Sequence, residues 1–369
     1  MLGDNIYRKR MKQISEALEQ IGVDFALLTP SPAFQYVTGI RGGMMERLVA
    51  LLMKPDQDPK MVAPSFEVSN LSEHTWVEDF LPWAEDEDPY KIVASEAGAE
   101  DGGHSVAFDE HLPLGVYWKV EQALGGFQRT TSLTPIINEM RLIKSDEEID
   151  LMKRAGRIID SAVTRAFKEA SFGMTEVEMR QIVHVEVIRQ GAEPTFAAVQ
   201  FGENSAVAHA APGQRELRRG DVVLLDCGCV VGGYNTDMTR MGVAGPPSDE
   251  IKHIHSIVLE AQENAIERIA PGLACGAADG IARKVIEEAG YGHCFTHRLG
   301  HGIGIQVHEP PYLVRGNALE LQPGMTHSVE PGIYQETKFG VRIEDLVCVR
   351  EDGAELLTYT PKDLAIMDI

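Results

Sequence analysis

Two pairs of carboxylates and one glycine-flanked histidine are the residues of this chain best suited to chemistry. Asp226, Asp237, His301, Glu330 and Glu344 offer mostly hard oxygen donors, one imidazole and no thiolate, a set that suits divalent metal ions. Four carboxylate charges balance two such ions. Two ions about 3.5–4 Å apart can share a water molecule and lower its pKa toward roughly 7. The expected chemistry is metal-assisted hydrolysis, with Mn²⁺ the first expectation and Co²⁺, Fe²⁺ and Zn²⁺ as alternatives.

The first acidic pair lies in GDVVLLDCGCVVGGYNTDMTR, residues 220–240. An apolar, β-prone run ends at Asp226, passes Gly232-Gly233 and returns to Arg240, the pattern of a hairpin. A loop centred between Val231 and Gly232 sets Asp226 and Asp237 directly opposite on one face, roughly 4.5–5.5 Å apart. Opposed like charges destabilise a hairpin, and a cation held between them reverses the sign of that term. Strand alternation turns Cys227 and Cys229 away from Asp226, so both read as small buried residues rather than ligands.

The second pair repeats this arrangement in MTHSVEPGIYQETKFGVRIEDLVCV, residues 325–349, where Glu330 and Glu344 are equidistant from Thr337. Pro331 cannot donate to a ladder and belongs at an edge or bulge just after Glu330. Arg342, two residues before Glu344 on the same strand face, is placed to orient one of the carboxylates. Between the hairpins, FTHRLGHGIGIQVHEPP (295–311) carries His297, His301 and His308, with Gly300, Gly302 and Gly304 clearing space around His301. One more histidine, His209, precedes the first hairpin in the loop-like GENSAVAHAAPG.

In these motifs the chain resembles the creatinase/prolidase/methionine-aminopeptidase family, and more particularly its Xaa-Pro peptidases, over essentially all 369 residues. The resemblance implies an α/β creatinase-like N-terminal domain followed by an α+β pita-bread catalytic domain with a pseudo-twofold duplication. It implies that Asp237 and Glu344 bridge two metals, that Asp226 chelates one and that His301 and Glu330 bind the other. His209, His297 and His308 match the family's non-ligand site histidines, and Tyr334 and Arg342 its supporting residues. The expected substrate is a small peptide with proline second, a dipeptide rather than a longer chain, and the expected assembly is a homodimer.

Peptide hydrolysis then needs a base, a stabiliser for the tetrahedral oxygen and a proton for the leaving nitrogen. Glu330 is expected to take the proton of water and relay it to the amine. His308 is expected to stabilise the oxyanion, and His209 and His297 to orient the substrate. His297, His308 and Tyr334 would wall a pocket shaped for the pyrrolidine ring. The Xaa-Pro bond lacks an N–H, which a site that polarises the carbonyl does not need. Methionine aminopeptidase activity fits less well because of the extra N-terminal segment. A metal-free amidinohydrolase or a non-enzymatic binding module would show ligand replacements that are absent. An Xaa-Pro aminopeptidase acting on longer peptides, or another amide hydrolase on the same site, stays open.

The remainder of the sequence supplies the scaffold. A chain of this length favours two domains, and the formal charge of −22 disfavours nucleic acid and anionic membranes as partners. No apolar run reaches membrane-spanning length, and the first residues lack a signal-peptide core, so the cytoplasm is the expected location. Five cysteines without framework spacing argue against disulfides. Residues 1–131 alternate helical stretches (4–21, 66–71, 89–97, 115–124) with strand-like runs (24–29, 48–54, 105–108), the order of an α/β domain. Residues 132–142 read as a linker and 143–369 as the catalytic domain. There, capping boxes at Ser145/Glu148 and Thr175/Glu178 open two helices before the aspartate hairpin. Helices near 249–269 and 277–289 precede the glutamate hairpin.

Overall fold

The computed structural model describes residues 2–98, 103–207, 210–367 and 369, which divide into two compact units, Met1–Arg141 and Leu142–Ile369. In the first unit, helix α1 (Asp4–Ile21) buries Met11, Ile14 and Leu18 along one face and stops at Gly22, whose left-handed φ of 62° closes the last turn. Strands β1 (Phe25–Leu28), β2 (Ala50–Met53), β3 (Lys60–Pro64), β4 (Asp79–Trp83), β5 (His104–Phe108) and β6 (Phe127–Ser132) form one mixed sheet in the order β4-β3-β2-β1-β5-β6. Helices α2 (Pro32–Thr38), α3 (Val68–Ser72), α4 (Pro89–Ala97), α5 (Leu114–Ala123) and α6 (Thr134–Leu142) complete the unit. The central strands β1 and β2 are buried along their whole length, which is why they read as continuous apolar runs. The edge strands β4 (DFLPW) and β6 (FQRTTS) are partly exposed, and β6 is mostly polar; the sequence reading passes over both.

Residues 132–142, read above as a linker, instead hold α6, with Ile137 and Arg141 buried. The apolar residues Ile136, Ile137 and Met140 give that segment a face to bury, and the first unit extends through it to Arg141.

The second unit repeats one arrangement. Helix α7 (Asp146–Glu169) and helix α8 (Glu176–Arg189) open with the two expected capping boxes, both formed. They precede β7 (Glu193–Phe201), β8 (Val222–Val231), β9 (Tyr234–Asn235) and β10 (Met238–Ala244), which with β18 (Ala365–Met367) build a sheet in the order β18-β10-β8-β7, β9 pairing with β8. A second helix pair, α9 (Asp249–Arg268) and α10 (Cys275–Glu288), precedes β11 (Gly300–Gly302), β12 (Glu309–Leu313), β13 (Thr326–Val329), β14 (Gly332–Gln335), β15 (Phe339–Arg342), β16 (Asp345–Arg350) and β17 (Gly353–Leu356). These form the sheet β12-β11-β13-β16-β17 and the ribbon β14-β15. Helix α7 packs on α8 and β8, and α9 on α10 and β17. Ile254, Val258, Ala261 and Ala265 of α9 join Val329, Val347 and Val349 of the second sheet in a core from which water is excluded. Each half thus contributes one acidic hairpin. Among the described residues no helix is long and apolar enough to cross a membrane.

The first hairpin corrects the expected register. Gly232 and Gly233 have φ of 57° and 87°, the positive pair that a two-residue hairpin turn requires. The turn is therefore centred between them, Val231 faces Tyr234, and Asp226 faces Thr239 rather than Asp237. The displacement is two residues, and because side chains alternate with period two, Asp237 stays on the face of Asp226 as a diagonal neighbour. The second hairpin keeps the expected register. Gly332 faces Arg342 in the ribbon and Val329 faces Asp345 in the sheet, so both ladders are centred on Thr337 and place Glu330 level with Glu344. The interruption of the ladder at Glu330-Pro331 follows from the missing proline N–H.

Candidate functional site

Five side chains predicted from the sequence converge inside the second unit. Asp226 projects from β8, Asp237 from the break between β9 and β10, and His301 from β11. Glu330 and Glu344 stand at the break between the second sheet and its ribbon. Ligand-capable atoms of Asp237, His301 and Glu344 all lie within 4.8 Å of one another. His301 Nε2 is 3.3 Å from Glu330 Oε1 and 3.8 Å from Asp237 Oδ2. Asp237, His301 and Glu344 are buried.

Backbone packing sets the position of His301. A Cβ on Gly300 would stand 2.1 Å from the Ser328 carbonyl oxygen, and one on Gly302 would stand 2.2 Å from that of Pro310. Only glycine lets these strands close on both sides of the histidine. The imidazole Nδ1 bonds the Gly302 carbonyl at 3.1 Å, which fixes the tautomer and leaves Nε2 as an acceptor facing the carboxylates. Burial, with His308 and Arg298 nearby, pushes its pKa down to about 3, so the ring is neutral, as a metal ligand must be.

The carboxylates meet at an electrostatic cost. Burial, then Glu344, Asp226 and Glu330 in turn, hold Asp237 well above the ordinary aspartate range. Burial, then Glu330 and Asp226, do the same to Glu344. Burial brings Glu330 up to about 7, although Arg342 opposes it. Asp226 Oδ1, Asp237 Oδ1 and Glu344 Oε1 are buried oxygens without a hydrogen-bond partner. An orphaned buried carboxylate oxygen is expensive; three of them around a neutral imidazole fit a cation site.

Around these groups runs a network that sequence reasoning found only in part. Arg342 Nη2 donates to Asp226 Oδ2 at 2.6 Å, Nε to Thr239 Oγ1 at 3.0 Å and Nη1 to Tyr334 Oη at 2.8 Å. Thr239 Oγ1 in turn donates to Glu344 Oε2 at 2.7 Å. Ser328 Oγ donates to Glu330 Oε1 and accepts from the His301 amide, both at 3.0 Å. Thr239 and Ser328 were missed. The available signal was the two-residue spacing from Asp237 and Glu330, which puts each hydroxyl on its carboxylate's face.

The predicted accessory residues divide. His308 sits edge-on to His301 with ring centroids 4.1 Å apart and lines a cavity of about 740 Å³ that also exposes Asp226, Asp237, Glu330 and Glu344. Phe196 from β7, Arg180 and His184 from α8, and Arg298 contribute to its walls. His297 lines the cavity, but its Nε2 is 2.9 Å from Tyr334 Oη and its Nδ1 bonds the Arg298 carbonyl. It therefore braces Tyr334 while facing the cavity. Tyr334, expected as a pocket wall, lies behind that surface, buried between His297 and Arg342. Its pKa is raised to about 12 by burial, so it remains a neutral strut. His209 lies outside the described residues. Cys229 Sγ points to the Ala155 carbonyl of α7, and all five cysteines are free.

Comparison with known proteins gives the same picture. Residues 150–351 match the model of metallopeptidase family M24, and residues 10–143 match the creatinase/prolidase N-terminal domain. The chain is 34% identical to an Xaa-Pro dipeptidase of Lactobacillus helveticus, over 97% of this chain and 99% of that one. Among solved structures it is similar to a prolidase from Thermococcus sibiricus, with a TM-score of 0.91, 35% identity and coverage of 98% and 99% of the two chains. It is also similar to dipeptidase PepE from Mycobacterium ulcerans, with a TM-score of 0.90, 32% identity and coverage of 99% of each. Two consecutive domain matches and full-length likeness thus join the converging carboxylates to one conclusion: the chain belongs to metallopeptidase family M24, with a creatinase-type α/β N-terminal domain ahead of a pita-bread catalytic domain.

Proposed function

We propose that this protein is a two-metal Xaa-Pro dipeptidase. The observation that carries the reading is the set of three unpartnered buried carboxylate oxygens facing a neutral His301 at the bottom of a cavity. Asp226 and Asp237 would hold one divalent ion and His301 and Glu330 the other, with Asp237 and Glu344 shared between them. Mn²⁺ is the first choice for such a donor set. When bound, the ions would acidify a water molecule and polarise the scissile carbonyl.

Glu330 accepts the proton of the attacking water as its oxygen bonds to the carbonyl carbon. Ser328 steadies this carboxylate at Oε1. His308, exposed at the cavity wall, donates to the carbonyl oxygen as that atom gains charge. Glu330 then returns the proton to the proline nitrogen as the C–N bond breaks, so that proline leaves as a secondary amine. The site asks for no hydrogen bond from the scissile nitrogen, which suits a tertiary amide. A homodimer in the cytoplasm is part of the same proposal.

The test compares Xaa-Pro dipeptides, Xaa-Pro-Xaa tripeptides and methionyl-alanyl peptides as substrates of Mn²⁺-loaded protein, with metal counted by elemental analysis. The expected result is two ions per chain, loss of activity in EDTA and preference for Xaa-Pro dipeptides. A methionyl-alanyl preference, or activity indifferent to EDTA, overturns it.

A further inference from the structure

Lys144 and Glu309 form a buried ion pair that the hydrolytic chemistry described above does not use. The Lys144 ammonium lies 2.9 Å from Glu309 Oε1, and both side chains are 2% exposed. Among the described residues that ammonium has no other partner. Such a pair is weak ground for stability, since desolvating two charges offsets most of their attraction and apolar side chains of similar volume often pack as well. Its use lies in what it holds in place.

What it holds is the loop that presents His308. Strands β11 and β12 set Gly302 opposite Glu309, and residues 303–308 join them. A loop of that length exceeds the roughly two to five residues with which hairpins usually close, so turn chemistry alone does not fix it. Contacts from two sides do. From the first acidic hairpin, Asn235 donates its backbone N–H to the Gly304 carbonyl and its Nδ2 to the Ile305 carbonyl, both at 2.8 Å. From the other side, Glu309 Oε2 accepts from the Gln306 amide at 3.1 Å and closes the turn that contains Val307 and His308. The loop lies directly on the ion pair: a Cβ on Gly304 would stand 2.7 Å from Glu309 Oε1 and 3.0 Å from Lys144 Cε. His308 is exposed at the end of this loop, so the course of the backbone beneath it sets where its ring stands.

We infer that the buried Lys144–Glu309 pair is a positioning device for His308: the ammonium fixes the carboxylate, the carboxylate holds the Gln306 amide, and the closed turn aims the imidazole at the reacting carbonyl. The inference rests on the role given to His308 in the dipeptidase reading above. A displacement of about 1 Å at a group that meets the transition state costs about 100-fold in rate, so a pair that touches no substrate can govern turnover. Neither Lys144 nor Glu309 lines the cavity, which separates this role from the binding of metal or peptide.

The experiment measures kcat and KM on Ala-Pro, Mn²⁺ affinity and urea unfolding for the unaltered protein, Lys144→Met/Glu309→Leu and Lys144→Met/Glu309→Gln, each also in a His308→Ala background. Both double variants remove the two charges together and should unfold at nearly the unaltered urea concentration. The leucine variant loses the acceptor for the Gln306 amide; its kcat should fall about 10- to 100-fold, with KM and Mn²⁺ affinity within about threefold. The glutamine variant keeps an oxygen at that place and should recover part of the loss. In the His308→Ala background the leucine variant should cost less than about threefold more in kcat, because the residue it positions is gone. Should the leucine variant fold poorly, Glu309→Asp, which keeps the charge but withdraws the carboxylate from the Gln306 amide, goes through the same cycle with the same expectation. Unchanged kcat, no recovery with glutamine, or an equal loss with and without His308 would each overturn the inference while leaving the dipeptidase reading intact. An unaltered enzyme that does not cleave Ala-Pro overturns both.

Discussion

Arg342 reaches from β15 to Asp226 on β8, donating from Nη2 to Oδ2 at 2.6 Å, and so ties the two acidic hairpins of the second unit together. Through Thr239 the same guanidinium also steadies Glu344. One cation thereby orients a carboxylate from each hairpin. Removing it leaves the buried Glu344 and the partly buried Asp226 without that support. Arg342→Met should weaken divalent-metal binding by about 10- to 100-fold, read by titrating Mn²⁺ into metal-free protein. Arg342→Lys, a point charge without the fork, should fall between. Metal affinity unchanged in both would show that the arginine has no such role.

Glu330 stands where it can both hold a cation and move a proton, and the amide of Gln keeps the shape of the side chain while removing its basicity. Glu330→Gln should lower kcat by about 100- to 10,000-fold while the protein still takes up metal. Elemental analysis beside single-turnover kinetics makes the comparison. Full turnover in this variant would assign the proton to another group.

His308 is exposed at the cavity wall, edge-on to His301. If its N–H meets the developing oxyanion, His308→Ala should cost about 100- to 1,000-fold in kcat with KM changed little. A rise in KM alone would make it a binding residue instead.

His327, fully buried on β13, has its pKa pushed down to about 4 by burial, with Lys144 adding to the effect. The unfolded chain binds that proton near pH 6.5. The native state is therefore undiminished above about 6.5 and loses stability as pH falls toward 4, by up to about 3 kcal/mol. Urea unfolding of His327→Gln between pH 7 and 4 should show a shallower fall than the unaltered protein. An identical slope would mean that other groups govern acid sensitivity.

Much of this site was legible before any coordinates. The five candidate ligands carry their own context: Asp226 ends an apolar run, Glu330 precedes a proline that breaks a ladder, and His301 sits between glycines that a Cβ would turn into clashes. The second register came out as pairing Glu330 with Glu344 about Thr337 requires, and the structure puts Thr337 at the turn with φ 64°. The first register was misplaced, although Gly232-Gly233 marked the turn, because pairing the two aspartates by symmetry ignored the positive φ that both glycines supply. The face survived the error because a two-residue shift leaves side-chain alternation unchanged.

Sequence alone determined the donor types, the hairpins that carry them and the capping boxes that start α7 and α8, since each depends on neighbours a few residues apart. Tertiary structure decided what depends on contacts between distant segments. It tied Arg342 to Asp226 across 116 residues and Thr239 to Glu344 across 105. It turned His297 toward Tyr334 and left Arg298 stacked on Tyr312 inside the cavity. Spacing fixes which face a side chain takes, but which partner meets it there is set by how two separate sheets pack, and no local pattern encodes that.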